Sequence, residues 1–288
     1  MNITFSIIGG DLRIINLAKM LVADENEIYT YGLEKSEELK KQKNIIVCET
    51  LQETINKSKY IISSIPFSSD GKIINAPFSN KKIFVNEFMN LLNNKILICG
   101  NVSEEIISYT KNNNVKIIDV MKIEELAILN TIATAEGTIK IIISNTDTII
   151  HGKNILILGF GRVAKTLAKK LDSISAKVSC AARKNEDLAW IRTLGYNAVN
   201  INNIGNNLNK YDIIINTVPQ MILSEEKMKY IKQDCLLIDL ASKPGGIDQE
   251  VAKNKKINSI WALALPGKIA PVSTAKYIKD IIYNELKK

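Results

Sequence analysis

One histidine, His151, and four scattered cysteines leave this 288-residue chain short of the ligands that a metal centre needs. Cys48, Cys99, Cys180 and Cys235 form no C-x-x-C pair and fall in or beside predicted strands, which marks them as buried thiols of a reducing compartment. His151 precedes a strand at the edge opposite the ligand-binding end of a parallel sheet, so it is set aside as a catalytic group. A Walker sequence and a G-x-S-x-G elbow are both missing, which removes P-loop phosphate chemistry and the common serine nucleophile. Apolar runs are short and strand-like, none approaching the roughly 18 residues of a membrane span. The N-terminus runs straight into Ile3-Thr4-Phe5 without a charged n-region or cleavage site, so a cytoplasmic protein is expected. The net charge is +8, but the lysines behind it are scattered and never interleaved with aromatics. That pattern describes a solvated surface with a field favouring anionic substrates, not a nucleic-acid face.

What the chain does have is alternation. Its length suits two domains, and 46% hydrophobic with 24% charged residues is an ordinary globular balance. Strands are expected at Ile3–Ile8, Glu27–Tyr31, Ile45–Cys48, Tyr60–Ser64, Lys82–Val85, Lys95–Cys99 and Val115–Asp119, with helical periodicity between several of them. A Pro-free run from Glu124 to Asn145 would form a rod about 33 Å long, enough to bridge two domains. After the His151-Gly152-Lys153 turn a second series begins, with strands near 154–158, 177–182, 197–201, 211–216, 235–240 and 257–261. A last helix, 274–286, follows Pro271 and carries Tyr277, Ile278, Ile281 and Ile282 on one face, which fits packing back onto the first domain. The expectation is an α/β protein of two doubly wound parallel-sheet domains joined by long helices, the second a Rossmann NADP-binding domain. The boundaries are 1–130 plus 272–288 for an N-terminal substrate and catalytic domain, and 131–271 for the connecting helix and the cofactor domain.

The most informative run is Asn154 to Ala164, where an apolar strand meets a helix through Gly159-Phe160-Gly161-Arg162-Val163-Ala164. This is a G-x-G-x-x-A turn. Gly159 permits the bend, Gly161 lets a pyrophosphate approach the backbone, and Ala164 lets helix and strand pack closely. The amides opening the helix at Arg162 and Val163 face the phosphate charge. The following strand ends at Ala182-Arg183-Lys184, where an NAD-binding protein usually places a ribose-binding carboxylate. A basic residue there can pair with a 2′-phosphate, which favours NADP. The alternative is two solvated charges opening a loop.

Other constellations fall at predicted strand ends. Gly9-Gly10-Asp11-Leu12-Arg13 lacks the third small residue in register, so its amides suit a small anion with Arg13 as a bidentate partner. Otherwise Asp11 is a helix cap and Arg13 a surface charge. Ser63-Ser64-Ile65-Pro66 precedes Asp70-Gly71-Lys72, which offers Ser64 and Lys72 to a ligand or makes an ordinary turn. Asn216-Thr217-Val218-Pro219 and Asp239-Leu240-Ala241-Ser242-Lys243-Pro244-Gly245-Gly246 end the fourth and fifth strands of the second series, where a nicotinamide would lie. Lys243 can hold a substrate carboxylate across an interdomain cleft or assist proton transfer; it can also be a solvated residue before a turn.

In order, Gly9-Gly10-Asp11-x-Arg13, Ile65-Pro66, Asp70-Gly71, Ala76-Pro77, Thr134-Ala135-Glu136-Gly137, Gly159-Phe160-Gly161-Arg162, Ala182-Arg183, Asp239 to Gly246 and Leu265-Pro266-Gly267 resemble the family of dipicolinate synthase A subunits over nearly the whole chain. Departures stand at Ala133, where the family tends to place Pro, and at Lys268, where an apolar residue is expected. The resemblance implies a sporulation enzyme of the mother-cell cytoplasm. Its reaction would be NADP-dependent oxidation of a dihydrodipicolinate, formed by dehydrating 4-hydroxytetrahydrodipicolinate, to the aromatic dicarboxylate. It also implies a second, flavoprotein-like B subunit of the same synthase and leaves a homo-oligomer open. A dianionic substrate needs cationic anchors, so Arg13 and Lys243 are assigned to its carboxylates, with Asp11, Lys72 and Ser242 beside them. Ser64 and Thr217 orient it, and Glu136 is the proton acceptor unless it locks the connecting helix to a loop instead. Thr217 and Pro219 also border the cofactor. An NADPH-dependent reductase of a keto or imino acid and a non-catalytic cofactor-binding protein of a complex remain as alternatives.

Overall fold

Strands with near-continuous apolar sequence must be covered on both faces, and both sheets here are of that kind. The computed structural model describes residues 2–112 and 114–288. The chain divides into two compact units, Met1–Leu129 with Ala270–Lys288, and Asn130–Ile269.

The first unit contains β1 (Thr4–Ile8), β2 (Glu27–Tyr31), β3 (Ile45–Val47), β4 (Tyr60–Ser63), β5 (Ile96–Cys99) and β6 (Lys116–Asp119). These pair, all in parallel, in the order β3-β2-β1-β4-β5-β6. Phe5, Ile7 and Ile8 of the central strand are fully buried. The second unit contains β7 (Asn154–Leu158), β8 (Lys177–Ala182), β9 (Asn197–Asn200), β10 (Ile213–Asn216), β11 (Leu236–Asp239) and β12 (Ser259–Trp261). Their order, β12-β11-β10-β7-β8-β9, is the same topology and is again parallel throughout. Both sheets thus have the doubly wound dinucleotide-fold order, with the strand order reversing beside β1 and beside β7.

One expected strand is absent from its place. Lys82–Val85 contributes a single bridge, Ile73 to Phe84, and Val85 already opens the helix Val85–Asn90 with Phe84 as its cap residue. The run is too short for its apolar letters to distinguish a strand from a buried turn. Ile83, 2% exposed, packs from that turn into the core beside Phe67 and Ile74.

The long helix is Glu124–Ser144. By length and composition alone it could cross a membrane. Ala135 and Ile142, however, are buried in the core of the second unit, and Thr131 hydrogen-bonds Thr166 at 2.7 Å, the surroundings of a core helix. All four cysteines are free and buried. Burial pushes the Cys180 and Cys235 thiols up to about 12, so they stay protonated in any physiological buffer.

The terminal helix, Pro271–Leu286, starts with Pro at a position where the missing N–H costs nothing. It buries Ala275, Ile278, Ile281 and Ile282 in the same cluster as Ile14, Leu17, Ala18 and Leu21 of the first helix, Leu12–Ala23. The chain's last segment is therefore core of the first unit. Ile282→Ala should destabilise that unit by about 3 kcal/mol, measured by urea unfolding. An unchanged midpoint would show that the helix adds nothing to the fold.

Candidate functional site

In the second unit, β7 runs into Gly159, whose φ of +100° suits glycine alone, and Gly161 then caps the helix Arg162–Ser173. The two glycines differ in their surroundings. A Cβ on Gly159 would lie 2.5 Å from Thr217 Oγ1, whereas a Cβ on Gly161 would meet nothing within 4 Å. Gly159 is thus required by the fold, whereas nothing among the described residues crowds Gly161. Gly161, as the N-cap residue, makes no side-chain cap bond, and the positive end of the helix dipole lies at this turn. Ala164 is fully buried at the crossing of helix and strand.

A cavity of about 540 Å³ opens here, lined by Gly159, Phe160 and Gly161, by Ala182, Arg183 and Lys184 at the end of β8, and by Asp187, Asn202, Val218, Gln220, Met221, Ile222 and Lys227. Its size suits a small organic ligand. Arg183 and Lys184 are exposed at this wall, while Asp187 lies in the first turn of the next helix, Asn185–Thr193. Of the residues expected at the cofactor, Gly159, Gly161, Ala182, Arg183 and Lys184 meet in one cavity wall. Arg162 and Val163 stand at the helix start behind it, and Thr217 and Pro219 flank Val218. Thr217 Oγ1 donates to Leu158 O at 2.8 Å, which holds the β10 loop on the glycine turn. Asp187, Asn202 and Lys227 belong to no motif, and only the folding of β8, β9 and the β10 loop brings them to this cavity.

Ser242 and Lys243 are exposed on the loop after β11, and Lys243-Pro244 is a cis peptide, as is Ile65-Pro66. Gly245 N donates to Ser242 O at 2.8 Å, closing the turn that carries them. Glu136 is exposed on the long helix, where it pairs with Lys170 of the helix Arg162–Ser173 at 2.9 Å. The pair ties the long helix to another helix, not to the loop expected as its partner. A pair this solvated contributes about 0–1 kcal/mol.

The first unit corrects several expectations. Gly9 N donates to Tyr31 O at 2.9 Å and Gly10 N to Asn75 O at 3.0 Å, so these amides are not offered to an anion. Asp11 caps the helix, accepting from Arg13 N at 3.0 Å. Arg13 is neither a surface charge nor an open anion partner: it is 7% exposed, bidentate to Asp11 with Nη2–Oδ2 at 2.7 Å, and donates to Ile65 O. Ser64 is fully buried with its hydroxyl donated to Phe67 O at 2.8 Å, which assigns it to the turn. Lys72 is exposed on a turn organised by Asp70, whose Oδ1 accepts from Lys72 N and Ile73 N. The turn holds the Asp70 carboxyl below its ordinary range, chiefly through the Ile73 amide. Over the glycine turn itself lies the chain's own Asn75-Ala76, close enough that a Cβ on Gly9 would sit 2.9 Å from Ala76 Cβ.

Fold and site together define a two-domain α/β protein with one open, dehydrogenase-type Rossmann unit. A family model described as the N-terminal domain of the dipicolinate synthase A subunit matches residues 4–121, and one described as shikimate/quinate 5-dehydrogenase matches residues 143–261. The dipicolinate synthase A subunit of Bacillus subtilis is 27% identical over 282 residues, 96% of this chain and 93% of the relative. Crystal structures of the same protein from Bacillus halodurans and Bacillus subtilis superpose with TM-scores of 0.89 and 0.88 at 28% and 26% identity. The first covers 99% of this chain and 98% of its own, the second 100% and 96%. Over nearly its whole length the chain is thus similar to the dipicolinate synthase A subunits.

Because Gly161 faces open space, Gly161→Ala should cost about 1 kcal/mol or less of stability yet weaken dinucleotide binding at least about tenfold. Gly159→Ala should instead cost about 3 kcal/mol of stability. Thermal melts and calorimetric titration of both variants separate the two roles. Equal binding by Gly161→Ala would remove the phosphate from this turn.

Proposed function

We propose that this protein is the NADP-dependent oxidoreductase component that makes dipicolinate, pyridine-2,6-dicarboxylate, from 4-hydroxytetrahydrodipicolinate by way of dihydrodipicolinate. The observation that carries this is the joining of Gly159 and Gly161 with Arg183 and Lys184 in one cavity wall, in a chain related end to end to the A subunit of such a synthase. The glycine turn and uncapped helix start suit a pyrophosphate. Arg183 presents a planar fork to a 2′-phosphate and Lys184 a point charge beside it. When bound, the nicotinamide supplies the hydride acceptor that turns a dihydropyridine into an aromatic ring.

The chain's own part is to bind and orient. Lys243 provides the cation for a substrate carboxylate, and Ser242 a hydroxyl beside it. Thr217, fixed on Leu158 O, holds the β10 loop against the glycine turn. Arg13 and Asp11 brace the first strand end through Ile65 O and do not grip the substrate. Glu136 fastens two helices and passes no proton. Loss of hydride and of one proton from the dihydropyridine is balanced if solvent takes the proton. A flavoprotein-like partner and a place in the mother-cell cytoplasm of a sporulating bacterium belong to the same reading.

Arg183→Asp should weaken NADP about tenfold to a hundredfold, the value of a charge-assisted pair, while leaving NAD binding nearly unchanged. Isothermal titration with both cofactors measures this. Turnover is followed by the near-ultraviolet absorbance of dipicolinate, alone and with the partner added. An unchanged NADP-to-NAD ratio would overturn the cofactor assignment, and no dipicolinate from either mixture would overturn the reaction.

A further inference from the structure

Asp239 closes β11 and is fully buried. Its Oδ1 accepts from Asn216 Nδ2 at 2.8 Å and Ala241 N at 3.0 Å, and its Oδ2 accepts from Gly246 N at 2.7 Å and Ile247 N at 3.1 Å. Four donors fill the lone pairs of a carboxylate, which is what allows its charge to be buried at all. Asn216, closing β10, is the other half of the device. Its Nδ2 also donates to Val218 O at 2.9 Å, and its Oδ1 accepts from Val218 N at 3.1 Å.

One buried pair thereby fixes two strand-end loops. The first holds Val218, Gln220, Met221 and Ile222 of the cavity wall, and the second holds Ser242 and Lys243. A further tie joins them, because Gly246 O accepts from Ile222 N and Leu223 N, both at 2.9 Å. The space around the pair explains Gly245-Gly246. A Cβ on Gly245 would stand 2.8 Å from Asp239 Oδ2, and one on Gly246 would stand 2.4 Å from Asn216 Nδ2 and 2.7 Å from Gln220 O.

We infer that Asp239, through Asn216, is a positioning residue that registers the Lys243 loop against the cavity wall and so shapes the nicotinamide half of the cofactor site, leaving the adenosine half to Arg183 and Lys184. This rests on the cofactor assignment above. Asp239→Asn is nearly isosteric but turns an acceptor into a donor facing donors, which breaks the tie between the loops. Gly246→Ala keeps the carboxylate and drives a methyl group into Asn216.

The experiment titrates wild type and both variants with NADPH and with adenosine 2′,5′-bisphosphate, reads the fluorescence of bound NADPH, and records a thermal melt. In both variants the bisphosphate should bind within about twofold of wild type while NADPH weakens at least about tenfold and its fluorescence moves toward that of the free cofactor. If Asp239→Asn does not fold, Gly246→Ala decides. Proportional weakening of both ligands would reduce the pair to a general stabiliser and overturn the inference, as would unchanged NADPH binding and fluorescence in a folded variant. A wild type that takes up neither ligand overturns the cofactor assignment and this inference together, and is told apart by the wild-type titration alone.

Discussion

A parallel sheet covered by helices on both faces has only its strand ends left for chemistry, and the rest of this protein follows from how each unit treats its carboxyl-end crevice. The two sheets share one strand order, so topology alone would predict two dinucleotide sites. The connection after the fourth strand of each unit makes the difference. In the first unit, residues 64–84 fold back over the strand ends: Phe67 N bonds Gly100 O, Asn75 N bonds Phe67 O, and Phe67, Ile74 and Ile83 are buried beneath. In the second unit the corresponding loop turns at Thr217-Val218 and stays at the rim, so the crevice beside Gly161 is open. A loop of that length in the first unit, carrying little structure of its own, is where a scaffold would be expected to place a special device.

The open crevice carries charges of both signs, with three cations and the Asp187 carboxylate in its lining. Glu186 and Asp187 occupy the first turn of the helix Asn185–Thr193, where carboxylates are favoured by the dipole, and Arg183 and Lys184 precede it. The same short stretch therefore stabilises a helix start and presents two cations. Lys227 adds a third cation to the cavity lining. Together with the helix start at Gly161, the three cations lie on elements of one unit.

Much of this is legible in the sequence. Buried parallel strands are long apolar runs, so Ile155–Leu158 and Phe5–Ile8 announce themselves, and the face Ile278-Ile281-Ile282 announces the terminal helix. The turn Gly159 to Ala164 can be read because each small residue answers a separate steric demand in a fixed register. The failures share a cause. Lys82–Val85 reads as a strand because its few apolar letters fit either a strand or a buried turn. Asp11, Arg13 and Ser64 read as ligand groups because the sequence shows which groups can bind, but not which backbone atoms will reach them first. Asn75-Ala76 over Gly9, and Ile65 O over Arg13, are contacts spanning more than 50 residues that no local spacing encodes.

The contrast between Arg13 and Arg183 gives a physical rule for telling charges committed to the fold from charges left available to a ligand. A charged group taken out of water must have its hydrogen bonds met at folding, since an unmet one costs several times what a met one contributes. Arg13, met by Asp11 and Ile65 O, and Asp239, met by four donors, have therefore committed their valence to the fold. Arg183, Lys184 and Lys243 remain in water, where desolvation by a ligand costs less and a new anionic partner adds net attraction. Each buried group stands beside a strand end and each exposed one just beyond, so the inner charges belong to the frame and the outer ones to its solvated rim. Asp239 joins the two kinds, because the loop it winds is the one that carries Lys243.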